Sequence, residues 1–141
     1  DVAKDIILAP GGAGCTGTVE LAGGVLIAQN IYESAAAGTS RVIFNGGVFR
    51  PKGGAMSGLD SAKIGAGPAI FDTSLYSGAG YNLAQALSGV SGTDGGLVKA
   101  GTNTLNVNAT LAYNGPTVVS AGVQRDAGGA GVRRRLAQRH Q

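Results

Sequence analysis

Thr93-Asp-Gly-Gly-Leu-Val98 is the stretch of sequence that decides the fold, because the same unit recurs along the chain. It combines a small or turn-forming residue, two glycines and two apolar residues, and it reads Leu21-Ala-Gly-Gly-Val-Leu26 and Phe44-Asn-Gly-Gly-Val-Phe49 earlier in the sequence. The glycine pairs begin at positions 23, 46 and 95, so the second interval is close to twice the first. Strand-like segments at Pro68–Asp72 and Thr117–Gly122 complete a series of five units. Repetition at this interval is typical of a solenoid.

The composition supports short strands and many turns. Of 141 residues, 26 are Gly, seven are aromatic, 13% are charged and 43% are hydrophobic. Collagen is excluded because the glycines have no three-residue period and there are only 4 prolines. The low charge argues against a disordered chain, and the glycines argue against a helical bundle. The single cysteine, Cys15, excludes an intramolecular disulfide and a cysteine zinc site.

The local pattern completes the fold prediction. Thr104–Leu111 alternates polar and apolar residues, which predicts a strand with Leu105, Val107, Ala109 and Leu111 on one face. A coil of two or three such strands cannot bury its apolar face alone, so coils must stack. We predict an all-β parallel β-solenoid of about five coils of 23–26 residues over 1–123, with Val, Leu and Ile inward and Thr, Asn and Ser outward. The alternative is an antiparallel β-sandwich, because Asn-Gly and Asp-Gly are also hairpin signals.

The net charge of +3 belongs to the end of the chain. Residues 1–123 have a balance of −1, whereas residues 124–141 have a balance of +4. A nucleic-acid-binding domain would distribute its basic residues over several elements, so we expect no nucleic-acid partner for the domain. For 124–141 we predict a disordered Arg-rich tail without strands. Three interpretations of this tail stay open: an arm binding RNA or another anionic surface through Arg133–Arg135, a linker, or a segment that is not native coding sequence.

Motifs that could carry chemistry are weak in this chain. Gly12-Ala-Gly-Cys-Thr-Gly17 matches the dinucleotide-binding pattern, but a strand-like Thr18–Leu21 follows where a helix is required. The only histidine, His140, lies in the tail. The acids are scattered along the sequence, which disfavours a carboxylate pair for glycoside cleavage: Glu20, Glu33, Asp60, Asp72 and Asp94. We therefore predict no catalytic, cofactor-binding or metal-binding residue, and no enzymatic activity.

Three further sets of residues have structural interpretations. Cys15 is expected to fill a coil corner. Four tyrosines could line a sugar-binding face, but their spacing does not place them in one register: Tyr32, Tyr76, Tyr81 and Tyr113. Four asparagines could form side-chain ladders between coils: Asn103, Asn106, Asn108 and Asn114.

Residues 95–122 closely resemble the passenger-associated β-helix repeat of bacterial autotransporters. The repeat has a Gly-Gly-Leu-Thr-Lys start, a Gly-x-x-Thr-Leu core, a Tyr-x-Gly segment and a Thr-x-Val-x-Ala-Gly ending. These elements fall on Gly95, Gly96, Leu97, Lys99, Gly101, Thr104, Leu105, Tyr113, Gly115, Thr117, Val119, Ala121 and Gly122. Val98 departs from the usual Thr, and residues 109–112 depart from the usual polar turn. A weaker resemblance extends over about 17–123.

The resemblance implies a right-handed solenoid and an exported protein. It implies a structural stalk or spacer within a longer passenger, displayed at the surface of a Gram-negative bacterium and associated with its outer membrane. The implied partners are the rest of the passenger and a C-terminal outer-membrane barrel. An adhesin segment that binds surface glycans or a host surface through one solenoid face is the alternative. The chain begins at Asp1 rather than Met, which agrees with a fragment of something longer or a mature form.

Overall fold

The computed structural model describes residues 5–8, 14–33, 38–53, 55–90, 92–126 and 131–134, the last four and Asp126 by their backbone alone. Within that part of the chain the regular structure is β-strand, apart from a single 3-10 turn at Thr73–Leu75. The strands are β1 Ile6–Leu8, β2 Thr16–Leu21, β3 Val25–Ala28, β4 Ile31–Glu33, β5 Thr39–Phe44, β6 Val48–Pro51, β7 Ala55–Met56, β8 Ser61–Ile64, β9 Ala69–Asp72, β10 Tyr81–Leu83, β11 Leu87–Gly89, β12 Leu97–Ala100, β13 Thr104–Val107, β14 Leu111–Ala112, β15 Thr117–Val119, β16 Val123–Asp126 and β17 Gly131–Arg134.

Fifteen of the described strands form three five-stranded sheets that the chain visits in rotation, and β1 and β4 form a separate two-stranded sheet. Sheet one contains β2, β5, β8, β11 and β14, and sheet two contains β3, β6, β9, β12 and β15. Sheet three contains β7, β10, β13, β16 and β17, while β4 pairs with β1. Pairing between described strands is parallel except between β16 and β17. The predicted parallel β-solenoid of about five coils is therefore confirmed, and the antiparallel sandwich is wrong. The handedness stays a prediction.

The five repeat units recognised in the sequence all belong to sheet two. The residues after the glycine pairs begin β3, β6 and β12, while Pro68–Asp72 and Thr117–Gly122 contain β9 and β15. Equivalent positions pair in register from coil to coil, giving a column of Val25, Val48, Ile70, Val98 and Val118. The glycine pairs therefore mark the corner at which the chain passes from sheet one to sheet two.

Glycines at this corner permit neighbouring coils to touch through their backbones. A Cβ atom on Gly95 would lie 2.3 Å from the carbonyl carbon of Gly67 in the preceding coil. A Cβ atom on Gly115 would lie 2.4 Å from the nitrogen of Gly96. Neither position can hold another residue without displacing the backbone of the adjacent coil. The high glycine content thus reflects close approach as well as turn geometry.

Aromatic rings fill the centre of the stack. All three phenylalanines are fully buried, and Phe71 contacts both Phe44 and Phe49, with centroid distances of 5.2 and 5.9 Å. Tyr81 continues this cluster, with a centroid distance of 6.4 Å to Phe49, and Tyr76 packs on Tyr81 at 5.6 Å. Tilted and edge-on arrangements at these distances are favourable for aromatic pairs. Coils two and three therefore share one aromatic core.

Coil length varies more than the sequence pattern predicts. Leu97 pairs with Ala69, 28 residues earlier, whereas Thr117 pairs with Leu97 after only 20 residues. The longer coil contains the 3-10 turn and the loop that leads to β10. Insertions at corners leave the strand register intact, because only the strands stack.

The predicted eight-residue strand over Thr104–Leu111 is wrong in its second half. β13 ends at Val107, and Leu111 begins β14 in a different sheet. Leu105 and Val107 are buried as expected, and Leu111 packs against the core. The apolar alternation continues through the corner because both sheets face the same interior.

The predicted end of the solenoid is also corrected. Residues 124–126 were expected to lie in a strandless tail, but they belong to β16, which pairs with β13, and 131–134 form β17. Gln124 explains the difference, because it pairs with Leu105 and its side chain is fully buried. The fifth coil therefore needs residues beyond 123 to complete sheet three. Residues 127–130 and 135–141 of the predicted tail lie outside the described residues.

Candidate functional site

The dinucleotide-like motif is part of the solenoid. β2 begins at Thr16 and runs through Gly17, so a strand stands where the nucleotide-binding fold requires a helix. Cys15 is half-buried directly before this strand, as a small corner residue would be. Gly12 and the tail residues His140 and Arg135 lie outside the described residues.

Two of the scattered acids meet at one serine. Ser40 Oγ donates a hydrogen bond of 2.6 Å to Glu33 Oε1, and its backbone nitrogen donates one of 2.9 Å to Asp60 Oδ2. Ser40 Oγ also accepts a bond of 2.9 Å from the Asp60 nitrogen. The serine is fully buried, so its hydroxyl cannot reach a substrate. This contact joins successive coils, and it supplies no exposed acid–base pair.

Two other acids bind residues of a neighbouring coil. Asp72 Oδ2 forms an ion pair of 2.8 Å with Arg50 Nε on the outer surface of sheet two. Glu20 accepts a weak bond of 3.4 Å from the Asn45 amide. Both contacts join one coil to the next, so these two carboxylates stabilise the stack.

Asp94 forms the densest polar contact at the corner between sheets one and two. Its Oδ1 accepts bonds from the nitrogens of Gly96, at 2.9 Å, and Gly115, at 2.8 Å. Its Oδ2 accepts a bond of 2.7 Å from the Asn114 nitrogen. The bonds from Asn114, Gly115 and Gly96 lower the pKa of this carboxyl below its usual value. Asp94 therefore fastens the turn of coil five to the turn of coil four.

We expect this contact to weaken the protein in acid. The folded-state pKa of Asp94 lies below the unfolded value, so its contribution is complete above pH 3.8 and is lost as pH falls further. Urea unfolding of the native chain and of D94N between about pH 5 and pH 2 measures the difference. The native chain should lose more unfolding free energy than D94N over this range. Equal losses in the two proteins would contradict the assignment.

Lys99 is a charged residue in the interior of the stack. It occupies the inward position that Phe71 holds in coil three and Val119 holds in coil five, and it is fully buried. Its Nζ donates bonds of 2.7 Å to the carbonyls of Ala100 and Gly101. A third bond, of 3.1 Å, reaches the Ala121 carbonyl in the next coil. The ammonium therefore satisfies three carbonyls at the corner between sheets two and three.

Burial lowers the pKa of Lys99 to about 8, although the nearby Asp72 carboxylate opposes the shift. In the unfolded chain Lys99 has its ordinary pKa of 10.5. Between about pH 8 and pH 10.5 the unfolded chain therefore binds more protons than the folded chain. Unfolding free energy should therefore rise with pH in this interval, by at most about 1.4 kcal/mol per pH unit. Urea titrations at pH 7.5, 8.5 and 9.5 test this against K99M, which should lack the rise. A parallel pH dependence in both proteins would refute it.

The tyrosines do not form a sugar-binding face in the described structure. Tyr81 is fully buried, while Tyr76 and Tyr113 pack against the core. The Tyr113 hydroxyl forms a short hydrogen bond with Thr117 Oγ1. Tyr32 lies apart from them in β4, and pairs with Ile7.

The expected asparagine ladder exists at one place. Asn106 Nδ2 donates a bond of 3.2 Å to Asn82 Oδ1 in the preceding coil, on the outer surface of sheet three. Asn103 instead donates to the carbonyls of Tyr76 and Gly78, at 2.7 and 2.8 Å. Asn108 and Asn114 contribute backbone bonds to neighbouring coils. These residues hold coils together, although only Asn106 does so through a ladder.

The described residues contain neither a metal-binding cluster nor a membrane-spanning helix. Within them, no group of three or more His, Cys, Asp or Glu side chains is arranged to hold a metal ion. The helical content of the same residues includes no segment with the length and apolarity needed to cross a membrane.

The fold defines the class of this protein as a parallel β-solenoid. Comparisons of the chain with protein-family models, with curated proteins and with solved structures found no match. The resemblance over 95–122 therefore depends on the sequence pattern quoted above, and membership of that family stays a prediction.

Sequence reasoning missed Lys99 and underrated Asp94 as an inter-coil contact. The signal for Asp94 was present, because an aspartate directly before a glycine pair is well placed to accept bonds from turn nitrogens. Lys99 had no comparable signal, since a lysine within an apolar alternation is ordinarily assigned to the solvent face.

Proposed function

We propose that this chain is a structural spacer within an exported, surface-displayed solenoid of the autotransporter type. In this role it would hold a distal region away from the outer membrane and carry no chemistry of its own. The observation that supports the proposal most strongly is that the charged groups of Asp94 and Lys99 bind backbone atoms of adjacent coils. The pKa values of both side chains are shifted by their surroundings, and both side chains are bound to backbone atoms of coils four and five.

The remaining polar residues agree with this assignment. Arg50 pairs with Asp72, Ser40 joins Glu33 to Asp60, and each contact links adjacent coils. Such bonds stiffen a stack whose units cannot fold alone. The alternative role, a glycan-binding adhesin segment, has less support because three of the four tyrosines pack in or against the core.

A display experiment tests the spacer role. Cells would carry an N-terminal epitope, one or two tandem copies of the chain, and an outer-membrane anchor. Five coils at about 4.8 Å each extend about 24 Å, so the second copy should move the epitope outward by a similar distance. Energy transfer from a labelled epitope to a membrane dye should therefore decrease with two copies. Unchanged transfer would contradict the spacer role.

Binding of the purified chain separates the two candidate functions. A spacer should show no saturable binding to a panel of surface glycans at chain concentrations up to about 100 µM. Saturable binding that is lost on substitution of exposed residues would replace the spacer role with the adhesin role. Circular dichroism of each variant verifies that the loss does not come from unfolding.

A further inference from the structure

Two asparagines of this chain are followed directly by glycine, at Asn45-Gly46 and Asn114-Gly115. An asparagine before glycine is prone to deamidation, because the glycine nitrogen can approach the asparagine side chain without hindrance from a Cβ atom. Both dipeptides lie at the corner between sheets one and two, the first before β6 and the second before β15. Their hydrogen bonds differ, and the difference decides which of them can react.

Asn45 is held by neighbouring coils on both sides. Its Oδ1 accepts a bond of 2.8 Å from the Gly67 nitrogen, and its Nδ2 donates the weak bond of 3.4 Å to Glu20. The Gly46 nitrogen, which would attack the Asn45 side chain, donates a bond of 2.9 Å to the Pro68 carbonyl. Reaction at Asn45 therefore requires coils two and three to separate.

Asn114 is restrained in a different way. Its side chain is exposed, so the amide can turn towards the backbone without breaking a contact between coils. The attacking nitrogen of Gly115 donates a bond of 2.8 Å to Asp94 Oδ1, and the Asn114 nitrogen donates one of 2.7 Å to Asp94 Oδ2. One carboxylate therefore binds both backbone nitrogens of the dipeptide.

We propose that Asn114 is a deamidation site of this protein and that the Asp94 carboxylate keeps the reaction slow. Hydroxide removes the proton of the Gly115 nitrogen, which then forms a bond to Asn114 Cγ. The bond from Cγ to Nδ2 breaks, and Nδ2 leaves as ammonia after taking a proton from water. Water opens the resulting succinimide at either carbonyl, which leaves aspartate or isoaspartate at position 114.

Asp94 opposes the first step through its charge. A nitrogen that loses its proton beside a carboxylate becomes a second negative charge at hydrogen-bond distance, and it also loses the bond itself. The pKa of Asp94 lies below its usual value, so this carboxylate is too weak a base to take the amide proton. A hydrogen bond to a charged group is strong enough to slow the reaction by about tenfold or more.

Incubation of the native chain and D94A at pH 8.5 tests the proposal. Mass spectrometry of tryptic peptides locates each deamidated residue through its fragment ions. In the native chain Asn114 should react faster than Asn45. In D94A the reaction at Asn114 should be faster by about tenfold or more, with that at Asn45 unchanged. An unchanged rate at Asn114 in D94A, or faster reaction at Asn45 than at Asn114, would overturn the proposal.

A second variant separates loss of this bond from general loosening of coil five. Val119 is fully buried in β15, so V119A weakens the packing of the coil and leaves Asp94 in place. V119A should accelerate reaction at Asn114 much less than D94A does, and equal acceleration would refute a direct role of the carboxylate. Urea curves verify that both variants fold. If D94A does not fold, D94N removes the same charge with little change of volume and should also raise the rate.

The product should weaken the contact between coils four and five. Deamidation adds a carboxylate to the residue whose nitrogen binds Asp94, and like charges so placed repel. N114D should therefore lower the urea midpoint more than N108D, which adds the same charge at another exposed position. High salt should reduce the difference, and equal midpoints at low salt would contradict this consequence. None of these results affects the spacer proposal, which is measured by epitope height.

Discussion

Replacing Gly96 by alanine should lower the free energy of unfolding by about 4 kcal/mol or abolish cooperative folding. Gly96 has a φ of +77°, a conformation that L side chains rarely adopt. In addition, a Cβ atom there would lie 2.0 Å from the carbonyl oxygen of Pro116 and 2.7 Å from its nitrogen. The obstacle is backbone of the next coil, so the clash cannot be relieved by rotating a side chain. Urea unfolding followed by circular dichroism measures the effect.

Two glycines serve as matched controls for Gly96. Gly24 has a similar φ of +71°, but an added Cβ would meet nothing within 4 Å. G24A should therefore cost about 1–2 kcal/mol, which isolates the conformational penalty. Gly92 has neither the positive φ nor a close neighbour, so G92A should change stability by less than about 1 kcal/mol. If G96A were as mild as G24A, the coils would not touch at this corner.

Replacing Phe71 by alanine should cost about 3–5 kcal/mol. Phe71 of coil three is fully buried and contacts Phe44 and Phe49, which both belong to coil two. Removal of its ring therefore leaves a cavity bounded by two other rings. F71L keeps most of the volume and should cost less than about 1.5 kcal/mol. The measurement is the free energy of unfolding in urea, with the slope compared between variants to verify two-state behaviour.

An exposed apolar residue provides the comparison for Phe71. Val90 is 50% exposed, so V90A should change stability by no more than about 0.5 kcal/mol. A loss of less than about 1 kcal/mol in F71A would show that the ring does not lie in a packed interior. The aromatic cluster would then not be the core of coils two and three.

The repeat could be read from the sequence because its signal is local. A glycine pair followed by apolar residues describes one corner and the strand after it, so Gly23, Gly46 and Gly95 marked sheet two without any knowledge of distant contacts. The predicted coil at Pro68–Asp72 was found for the same reason, since β9 retains the strand pattern although its corner has lost the glycine pair. Turn chemistry and periodicity were sufficient for the fold class.

The features that sequence reasoning missed depend on contacts between coils. Lys99 was not recognised as interior, because the carbonyl of Ala121 that helps to stabilise its ammonium lies 22 residues away. Strand β16 was not predicted because it forms by pairing with β13 of the preceding coil, where Gln124 lies beside Leu105. The in-register column of valines and an isoleucine that β3, β6, β9, β12 and β15 form on sheet two was not predicted, because each member looks like an ordinary strand residue and only the register aligns them.

Distances along one outward column test the parallel stack most directly. Glu20, Ser88 and Ala112 belong to one column on sheet one, in coils one, four and five. Spin labels in a C15S background would be placed as E20C/S88C and E20C/A112C. The stack requires Cα separations of about 14 and about 19 Å, three and four strand spacings, with narrow distributions. Broad distributions, or a second distance that is not longer than the first by about one strand spacing, would contradict the solenoid.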